Sequence, residues 1–350
     1  MPVPSREWHL VARPVGEPAP SDFALVTTAV PDPGPGQVLV RNDHLSVDPA
    51  MRGRMSPDVP GVRPFELGRA MEGRAVGTVV ASRCRQVPAG TTVVHRLGWR
   101  EYALLEAADV RAVDTRVAPA PAWLGVLGTP GLTAWAGLTE IAPVRPGDVV
   151  LVSAAAGAVG SVAGQLARRL GAGTVIGSAG GTWKARRLVE RYRFDAAIDH
   201  RAGDLAARLA EAAPEGVDVY FDNVGGDHLE AALAAMNPGG RIALCGAISV
   251  YNATEPPPGP SNLPLAITKR LTLRGMHVGD HEHLAADYVR RAADWLRDGT
   301  LIADETVTDG IGGAVDAFLA MMRGDTVGKT LVRLAGGPSG PLTPGAASAG

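Results

Sequence analysis

The stretch with the clearest chemical content is a run of small residues between an apolar segment and a helix-like segment. Residues Val149 to Val152 are all apolar, and the residues that follow have the spacing Ala154-x-x-Gly157-x-x-Gly160. Small side chains let the backbone approach a pyrophosphate, and a helix N-terminus offers N–H groups and a positive dipole end. A tight turn without a ligand would use similar residues, but further strand–helix alternation behind the run favours a dinucleotide site.

The next predicted strand bears on which dinucleotide would bind. An NAD site usually places an acid at the end of this strand, where it holds the ribose 2′-OH. Here the segment from Thr174 to Trp183 contains no acid, and the next charged residue is Lys184, one of only three lysines in the chain. A cation at this place suits a 2′-phosphate, although a solvated lysine at a helix start is the plainer alternative. The pattern predicts NADPH.

Two more segments follow predicted strands at the edge of the sheet where such folds bind ligands. The first is Asp222 to Gly226, which would also serve as an ordinary turn with a positive φ at glycine. The second runs from Cys245 to Asn252 and leads into the Pro-rich segment Glu255 to Pro260. This stiff segment would form either a lid over the cofactor or a surface loop.

The elements around these motifs fall into two patterns. From about Trp8 to Ala120, short strands broken by Gly and Pro predict a β-barrel-like domain. From about Gly128, apolar strands alternate with helices, which predicts an α/β fold with a doubly wound parallel sheet. The predicted boundaries are residues 1–127 for the first domain, 128–305 for the nucleotide domain, 306–334 for a return to the first domain, and 335–350 for a disordered tail.

Composition limits the class of protein. A chain of 350 residues with 46% hydrophobic content is long enough for two domains. The net charge of −2 gives no reason to expect nucleic acid or an anionic membrane as partner. Residues 1–15 contain no long apolar run, so neither a secretory signal nor a membrane span is expected. With only two cysteines the chain suits a reducing compartment, and we expect a cytoplasmic protein.

The sequence offers no convincing metal site. Cys84 and Cys245 are isolated, so they cannot supply a four-cysteine structural zinc site. The segment Gly68 to Gly73 lies near where zinc dehydrogenases carry Gly-His-Glu, and it has no histidine. The run His281-Glu-His283 is closer to a solvated helix start than to a metal centre. The sequence predicts an enzyme that works without metal.

Long blocks of this chain resemble the medium-chain dehydrogenases/reductases. Within that superfamily they are similar to the zinc-free branch of prostaglandin reductase (leukotriene B4 12-hydroxydehydrogenase) and 2-alkenal reductase. The resemblance covers nearly the whole chain except the tail. The matching blocks are Leu45–Met55, Gly128–Trp135, Ala154–Gly164, Phe221–Gly226, Gly240–Asn252, Pro258–Leu263 and Arg323–Thr330.

The resemblance implies a Rossmann sheet inserted into a GroES-like domain built from both chain ends, NADPH as cofactor, and frequent homodimers. His200 stands where the family usually has tyrosine, and Thr326 where it usually has asparagine, so these two contacts depart from the pattern. The implied cofactor-binding residues are Ala158, Val159, Gly160, Ser161, Lys184, His200, Asn223, Cys245, Gly246, Ala247, Ile248, Ser249, Tyr251, Met276, His277, Val278 and Thr326.

The implied reaction is reduction of a C=C bond in an α,β-unsaturated ketone or aldehyde. Hydride adds to the β-carbon, and a hydroxyl donor near the carbonyl oxygen stabilises the enolate. Tyr251 is the candidate for this donor, or else only a ribose contact. Ala50, where the family has tyrosine, and Trp135 are candidates for the substrate pocket. The alternatives are an NADPH quinone reductase, an alcohol dehydrogenase, which the missing zinc ligands disfavour, and a non-catalytic NADPH-binding protein.

Overall fold

A computed structural model describes residues 2–334 of the protein. The tail predicted at 335–350 lies outside the described residues. The chain divides into two compact units. Among the described residues, unit 1 contains residues 2–125 and 304–334, and unit 2 contains residues 126–303.

The regular elements have the following bounds. The strands are β1 Val3–Leu10, β2 Phe23–Val30, β3 Gln37–Ser46, β4 Ala75–Ser82, β5 Thr92–His95, β6 Tyr102–Glu106, β7 Arg111–Ala112, β8 Val149–Val152, β9 Thr174–Ala179, β10 Ala196–Asp199, β11 Val217–Asp222, β12 Met236–Leu244, β13 Thr272–Gly275, β14 Glu305–Asp309 and β15 Lys329–Arg333. The helices are α1 Met51–Arg54, α2 Thr129–Ala136, α3 Gly160–Arg169, α4 Thr182–Glu190, α5 Leu205–Ala212, α6 Gly226–Ala235, α7 Leu265–Thr268, α8 Ala285–Arg297 and α9 Ala314–Met322. Short 3₁₀ segments lie at Pro20–Asp22, Ala107–Asp109, Ala120–Leu124, His200–Ala202, Ile248–Val250, Val278–Leu284 and Ile311–Gly313, and a π-helical turn lies at Gly137–Ile141.

Unit 1 is built on a mainly antiparallel sheet that joins both ends of the chain. Its strand order is β14-β15-β3-β4-β5-β7, and β6 also pairs with β3. The C-terminal strand β15 runs antiparallel to β3, with Leu331 opposite Ser46. Strands β1 and β2 form a separate antiparallel pair. Strand pairing thus joins the segment that contains β15 to the sheet of unit 1.

Unit 2 contains a parallel six-stranded sheet with the order β10-β9-β8-β11-β12-β13. Successive strands are placed outward in both directions from the β8–β11 pair, which is the doubly wound pattern predicted from the sequence. Strands β8 and β11 are almost wholly buried, as expected when helices cover both faces of a parallel sheet. In such sheets the crevice at the carboxyl ends of the two central strands is the usual ligand site.

Helix α3 shows how the local sequence sets the elements of unit 2. Eight of its ten residues are buried. Its last turn carries Arg168 and Arg169, whose positive charges interact favourably with the partial negative charge at the C-terminal end of the helix. Gly171 follows with φ +101°, a conformation that ends helices and suits glycine. The apolar stretch from Leu132 to Ile141 is divided between α2 and the π-helical turn.

Candidate cofactor site and active site

The turn between β8 and α3 has the close packing that its small residues predicted. Ala154 adopts a left-handed conformation with φ +46°. A Cβ on Gly160 would lie 2.8 Å from the Cα of Ala155, so glycine is needed for the helix to start this close to the strand. Ala158 and Val159 immediately precede the first turn, and Ser161 lies in it. The close turn thus brings the N-terminus of α3 to the edge of the sheet where phosphates bind in such folds.

The turn after β11 is held by a buried carboxylate. One oxygen of Asp222 accepts hydrogen bonds from the N–H groups of Val224 and Gly225, both at 2.9 Å, and from the Tyr220 hydroxyl at 2.7 Å. Asn223 is fixed to the end of β8, because its side-chain amide donates to the Ser153 carbonyl at 2.8 Å. The ends of the two central strands are thus bonded together at the place where the fold predicts a ligand.

The segment from Cys245 to Tyr251 runs beside this turn. The N–H groups of Cys245 and Gly246 donate hydrogen bonds to the Asp222 carbonyl. The N–H of Ile248 donates to the Asn223 carbonyl at 3.3 Å. Tyr251 folds back on the same segment, where its hydroxyl accepts a hydrogen bond of 3.3 Å from the Ala247 N–H. Burial raises the pKa of the Tyr251 hydroxyl, and it raises the pKa of the Cys245 thiol to about 12. Both groups are therefore protonated near neutrality.

Lys184 lies in the first turn of α4, which follows β9, and His200 follows β10. The Lys184 side chain is buried, with 6% exposure, so the alternative of a solvated lysine is wrong. The Nδ1 of His200 lies 3.4 Å from the Ser178 hydroxyl, which is also 2.8 Å from Nε2 of His228. Burial, and next the charge of Arg201, lower the pKa of His200. The His200 imidazole is therefore neutral near pH 7.

Two residues beside His200 were missed by the sequence reasoning. Asp199 ends β10, and Arg201 follows His200. A Cβ on Gly180 would lie 3.0 Å from the Nε of Arg201 and 3.2 Å from the Cε1 of His200. The one sequence signal for these two residues was the expected parallel pairing of β9 with β10. Parallel pairing puts the residues that follow the two strands at the same edge of the sheet.

The remaining candidates lie in different parts of the two units. Met276, His277 and Val278 follow β13 in unit 2. Trp135 is also in unit 2, where its ring lies 5.8 Å from that of Tyr288 and 6.2 Å from that of Trp295. Ala50 and Thr326 belong to unit 1. Ala50 precedes α1 and is exposed, and the Thr326 hydroxyl accepts a 3.1 Å hydrogen bond from Thr330.

The His281–His283 run differs from its expected solvated state. His281 is buried and its Nδ1 lies 2.8 Å from one oxygen of Glu140, whereas His283 is exposed and lies 3.2 Å from the other oxygen. No group of three or more His, Cys, Asp or Glu within residues 2–334 has an arrangement that could hold a metal ion. In the same range, no helix is both long and apolar enough to cross a membrane.

A doubly wound sheet with a close strand–helix turn and cations at its edge defines a nucleotide-binding fold, and comparison with known proteins gives the family. Profiles described as "N-terminal domain of oxidoreductase" and "Zinc-binding dehydrogenase" match residues 6–113 and 158–296. An NADPH-dependent curcumin reductase of Escherichia coli (strain K12) is 39% identical over 338 residues, which are 95% of this chain and 97% of that protein.

Two further proteins agree with that match. A 2-alkenal reductase (NADP(+)-dependent) of Nicotiana tabacum is 37% identical over 325 residues, covering 91% of this chain and 94% of its own length. The crystal structure of CurA in complex with NADPH from Vibrio vulnificus has a TM-score of 0.90 and 36% identity, covering 94% of this chain and 99% of the other. The chain belongs to the medium-chain dehydrogenase/reductase family, in the branch of these reductases. The predicted family, fold and oxidoreductase class are confirmed.

Proposed function

We propose that this protein uses NADPH to reduce the C=C bond of α,β-unsaturated ketones or aldehydes. The observation that supports the proposal is similarity over more than nine-tenths of the chain to reductases named for curcumin and for 2-alkenals. A 2-alkenal is an aldehyde whose double bond is conjugated with its carbonyl group. Such a bond accepts hydride at the β-carbon, because the carbonyl oxygen takes up the resulting charge.

The residues of unit 2 fit NADPH. The close turn before α3 brings Ala158, Val159, Gly160 and Ser161 to a helix N-terminus that suits the pyrophosphate. Lys184, in the first turn of α4, would provide a cation for the 2′-phosphate. Asn223 and the segment from Cys245 to Tyr251 lie at the carboxyl ends of the central strands, where the nicotinamide half would bind. NADPH, when bound, supplies the hydride.

The protein's own part in the chemistry falls mainly to Tyr251. A phenol whose pKa is raised by burial keeps its proton at neutral pH and remains a hydrogen-bond donor. A donor aimed at the substrate's carbonyl oxygen stabilises the enolate more than the ground-state ketone, so it lowers the barrier. Tyr251 can also bind the cofactor ribose, and both roles need the same hydroxyl.

The decisive experiment follows NADPH consumption by the purified protein with a 2-alkenal, an aryl enone, a quinone and a saturated aldehyde. We expect saturated carbonyl products from the first two, with deuterium from 4-deuterated NADPH at the β-carbon. Turnover of quinones alone would make the protein a quinone reductase, and NADPH binding without turnover would make it a binding protein.

Dialysis against a strong chelator should leave the rate unchanged, and a rate restored only by zinc would contradict the metal-free reaction.

A further inference from the structure

The carboxyl ends of β9 and β10 bring together two turns that are separated in the sequence. The two strands pair in parallel, with Ala179 opposite Asp199. The turn Gly180–Gly181 leads from β9 into α4, and the 3₁₀ segment His200–Ala202 follows β10. The two turns therefore lie side by side at the edge of the sheet where the adenosine half of a dinucleotide would bind.

Asp199 binds the two turns to each other. Its Oδ1 accepts hydrogen bonds from the N–H of Gly181 at 2.8 Å and from the N–H of Arg201 at 3.0 Å. Its Oδ2 accepts a 3.1 Å hydrogen bond from the Thr182 hydroxyl. The three donors are two backbone N–H groups and one side-chain hydroxyl, all from the two turns or the start of α4. Both carboxylate oxygens of Asp199 are thus engaged by groups of the two turns.

Two permanent cations lie around His200 at the same edge. The Arg201 guanidinium is close to Gly180, since a Cβ there would lie 3.0 Å from Nε and 3.4 Å from Cζ. Lys184 lies in the first turns of α4. After burial, the charges of Arg201 and Lys184 both contribute to the lowered pKa of His200, which places both cations within electrostatic reach of this ring. The guanidinium therefore packs against the Gly180 backbone, and a side chain at position 180 would displace it.

We propose that Arg201, whose backbone N–H is bound by the Asp199 carboxylate, is a second cation for the 2′-phosphate of NADPH and acts together with Lys184. The inference rests on the proposed function. A phosphate monoester carries up to two negative charges, which one lysine neutralises only in part. Arginine adds a planar pair of donors that matches two phosphate oxygens, whereas lysine acts as a point charge. The pair of cations therefore offers both charge and orientation.

The test measures binding of two small probes by calorimetry, 2′,5′-ADP and 5′-AMP, which differ only in the 2′-phosphate. We expect Arg201→Ala to weaken 2′,5′-ADP binding about tenfold, with less than about a twofold change for 5′-AMP. Lys184→Ala should behave similarly, and Arg201→Lys should fall between Arg201→Ala and the wild type. Arg186→Ala is the matched control, because this exposed residue of α4 removes the same charge from the same region without touching the two turns.

The outcomes separate this inference from the proposed function. An unchanged affinity for 2′,5′-ADP in Arg201→Ala, or an equal loss for both probes, overturns the role of Arg201. A wild-type protein that binds both probes equally well overturns the NADPH assignment itself. Wild-type preference for 2′,5′-ADP that disappears with Lys184→Ala and persists with Arg201→Ala leaves the proposed cofactor standing and removes only the second cation.

Asp199 allows a test in which simple electrostatics and positioning predict opposite results. Removing a negative charge near a phosphate should tighten binding if Asp199 acts only by its charge. If Asp199 holds Arg201, Asp199→Ala should instead weaken 2′,5′-ADP binding several-fold, while Asp199→Asn, which keeps an acceptor for the two N–H groups, should bind at least as tightly as the wild type. Tighter binding by Asp199→Ala, with an unchanged melting temperature, would rule out the positioning role.

Discussion

The Tyr251 hydroxyl is buried enough to remain protonated, and it sits on the segment that follows β12. Tyr251→Phe removes the donor and keeps the ring, so packing changes little. We expect kcat for an enone to fall about 100-fold, which is typical for loss of one donor to a developing oxyanion. The dissociation constant of NADPH, measured by fluorescence, should change less than about threefold if the donor acts on the substrate rather than the ribose.

Tyr102→Phe provides the control for this experiment, because it removes a phenol hydroxyl from strand β6 of unit 1. It should leave both kcat and NADPH affinity unchanged. If Tyr251→Phe turns over enones at the wild-type rate, Tyr251 is a packing residue. If the variant loses NADPH affinity and kcat is unchanged with saturating cofactor, its role is limited to the ribose.

Ala50 stands where the resemblance to the family implies a tyrosine in the predicted substrate pocket. The position precedes α1 and its side chain is exposed in unit 1. An alanine in place of tyrosine removes a ring and a hydroxyl donor, so small enals would contact less of the pocket. Ala50→Tyr should therefore raise kcat/KM for a small enal relative to a bulky aryl enone, by about tenfold.

Comparison with Ala50→Phe distinguishes the ring from the hydroxyl in this effect. If volume alone matters, the two variants should shift the ratio of kcat/KM values equally. If the phenol donates to the substrate, only the tyrosine should raise the rate with the small enal. A ratio that is the same in wild type and both variants means that Ala50 does not set specificity.

At the scale of elements, local sequence patterns were sufficient to predict a feature that involves only one strand and the helix that follows it. The small residues from Ala154 to Gly160 predicted the β8–α3 turn, and the structure has the close approach that they require. The arrangement of Asp199 and Arg201 beside the turn that follows β9 could not be predicted from such a local pattern. It depends on the register of β10 against β9, which brings Asp199 beside Ala179 across a separation of 20 residues. The register follows from packing of the whole sheet, and no short motif encodes it.

Strand β5 ends in a histidine that shows how an element's polar groups are satisfied. His95 Nδ1 accepts a 3.1 Å hydrogen bond from the Leu97 N–H, so the proton is on Nε2, which donates to Asn42 at 2.8 Å. Asn42 in turn donates to the Arg100 carbonyl at 2.8 Å. Burial, and next the charge of Arg100, lower the pKa of His95 to about 3. This neutral imidazole joins β3 to β5.

The lowered pKa makes the stability of the protein depend on pH in a definite direction. Below the unfolded-state pKa of about 6.5, the unfolded chain takes up a proton on His95 that the folded protein does not. The contribution of His95 to the free energy of unfolding is therefore fully present above pH 6.5 and decreases as the pH falls toward 3. At pH 5.5 the contribution of His95 should be about 1.4 kcal/mol lower than at pH 7.5. Urea unfolding at both pH values should show this loss in wild type.

His95→Gln isolates this contribution, because glutamine does not titrate. The variant should lose about 1.4 kcal/mol less than wild type between pH 7.5 and 5.5, whatever its absolute stability. His44 and His228, whose pKa values are lowered to about 4, change stability in the same direction in both proteins. Glu305, with its pKa raised to about 7, acts in the opposite direction. Equal losses in wild type and variant would mean that His95 does not contribute.

At the scale of the whole molecule, the six-stranded sheet of unit 2 has an exposed edge at β13. Thr272, Arg274 and Gly275 of this strand are exposed, and within residues 2–334 no strand pairs with its outer side. The preceding segment also exposes apolar side chains, Leu263 at 49% and Ile267 at 79%. An open edge with apolar neighbours favours pairing with another strand, and a second copy of the same edge can pair with it around a twofold axis.

We therefore expect a homodimer in which two β13 strands pair and cover Leu263 and Ile267. Sedimentation and light scattering should give wild type a mass twice that of the 36.1 kDa chain. A charge at a buried apolar contact is costly without a partner, so Ile267→Asp should shift the protein toward the monomer at micromolar concentration. Val15→Asp is the matched control, since Val15 is 87% exposed in unit 1 and the substitution adds the same charge. A wild-type mass of one chain, or a dimer that survives Ile267→Asp combined with Leu263→Asp, would exclude this edge as the interface.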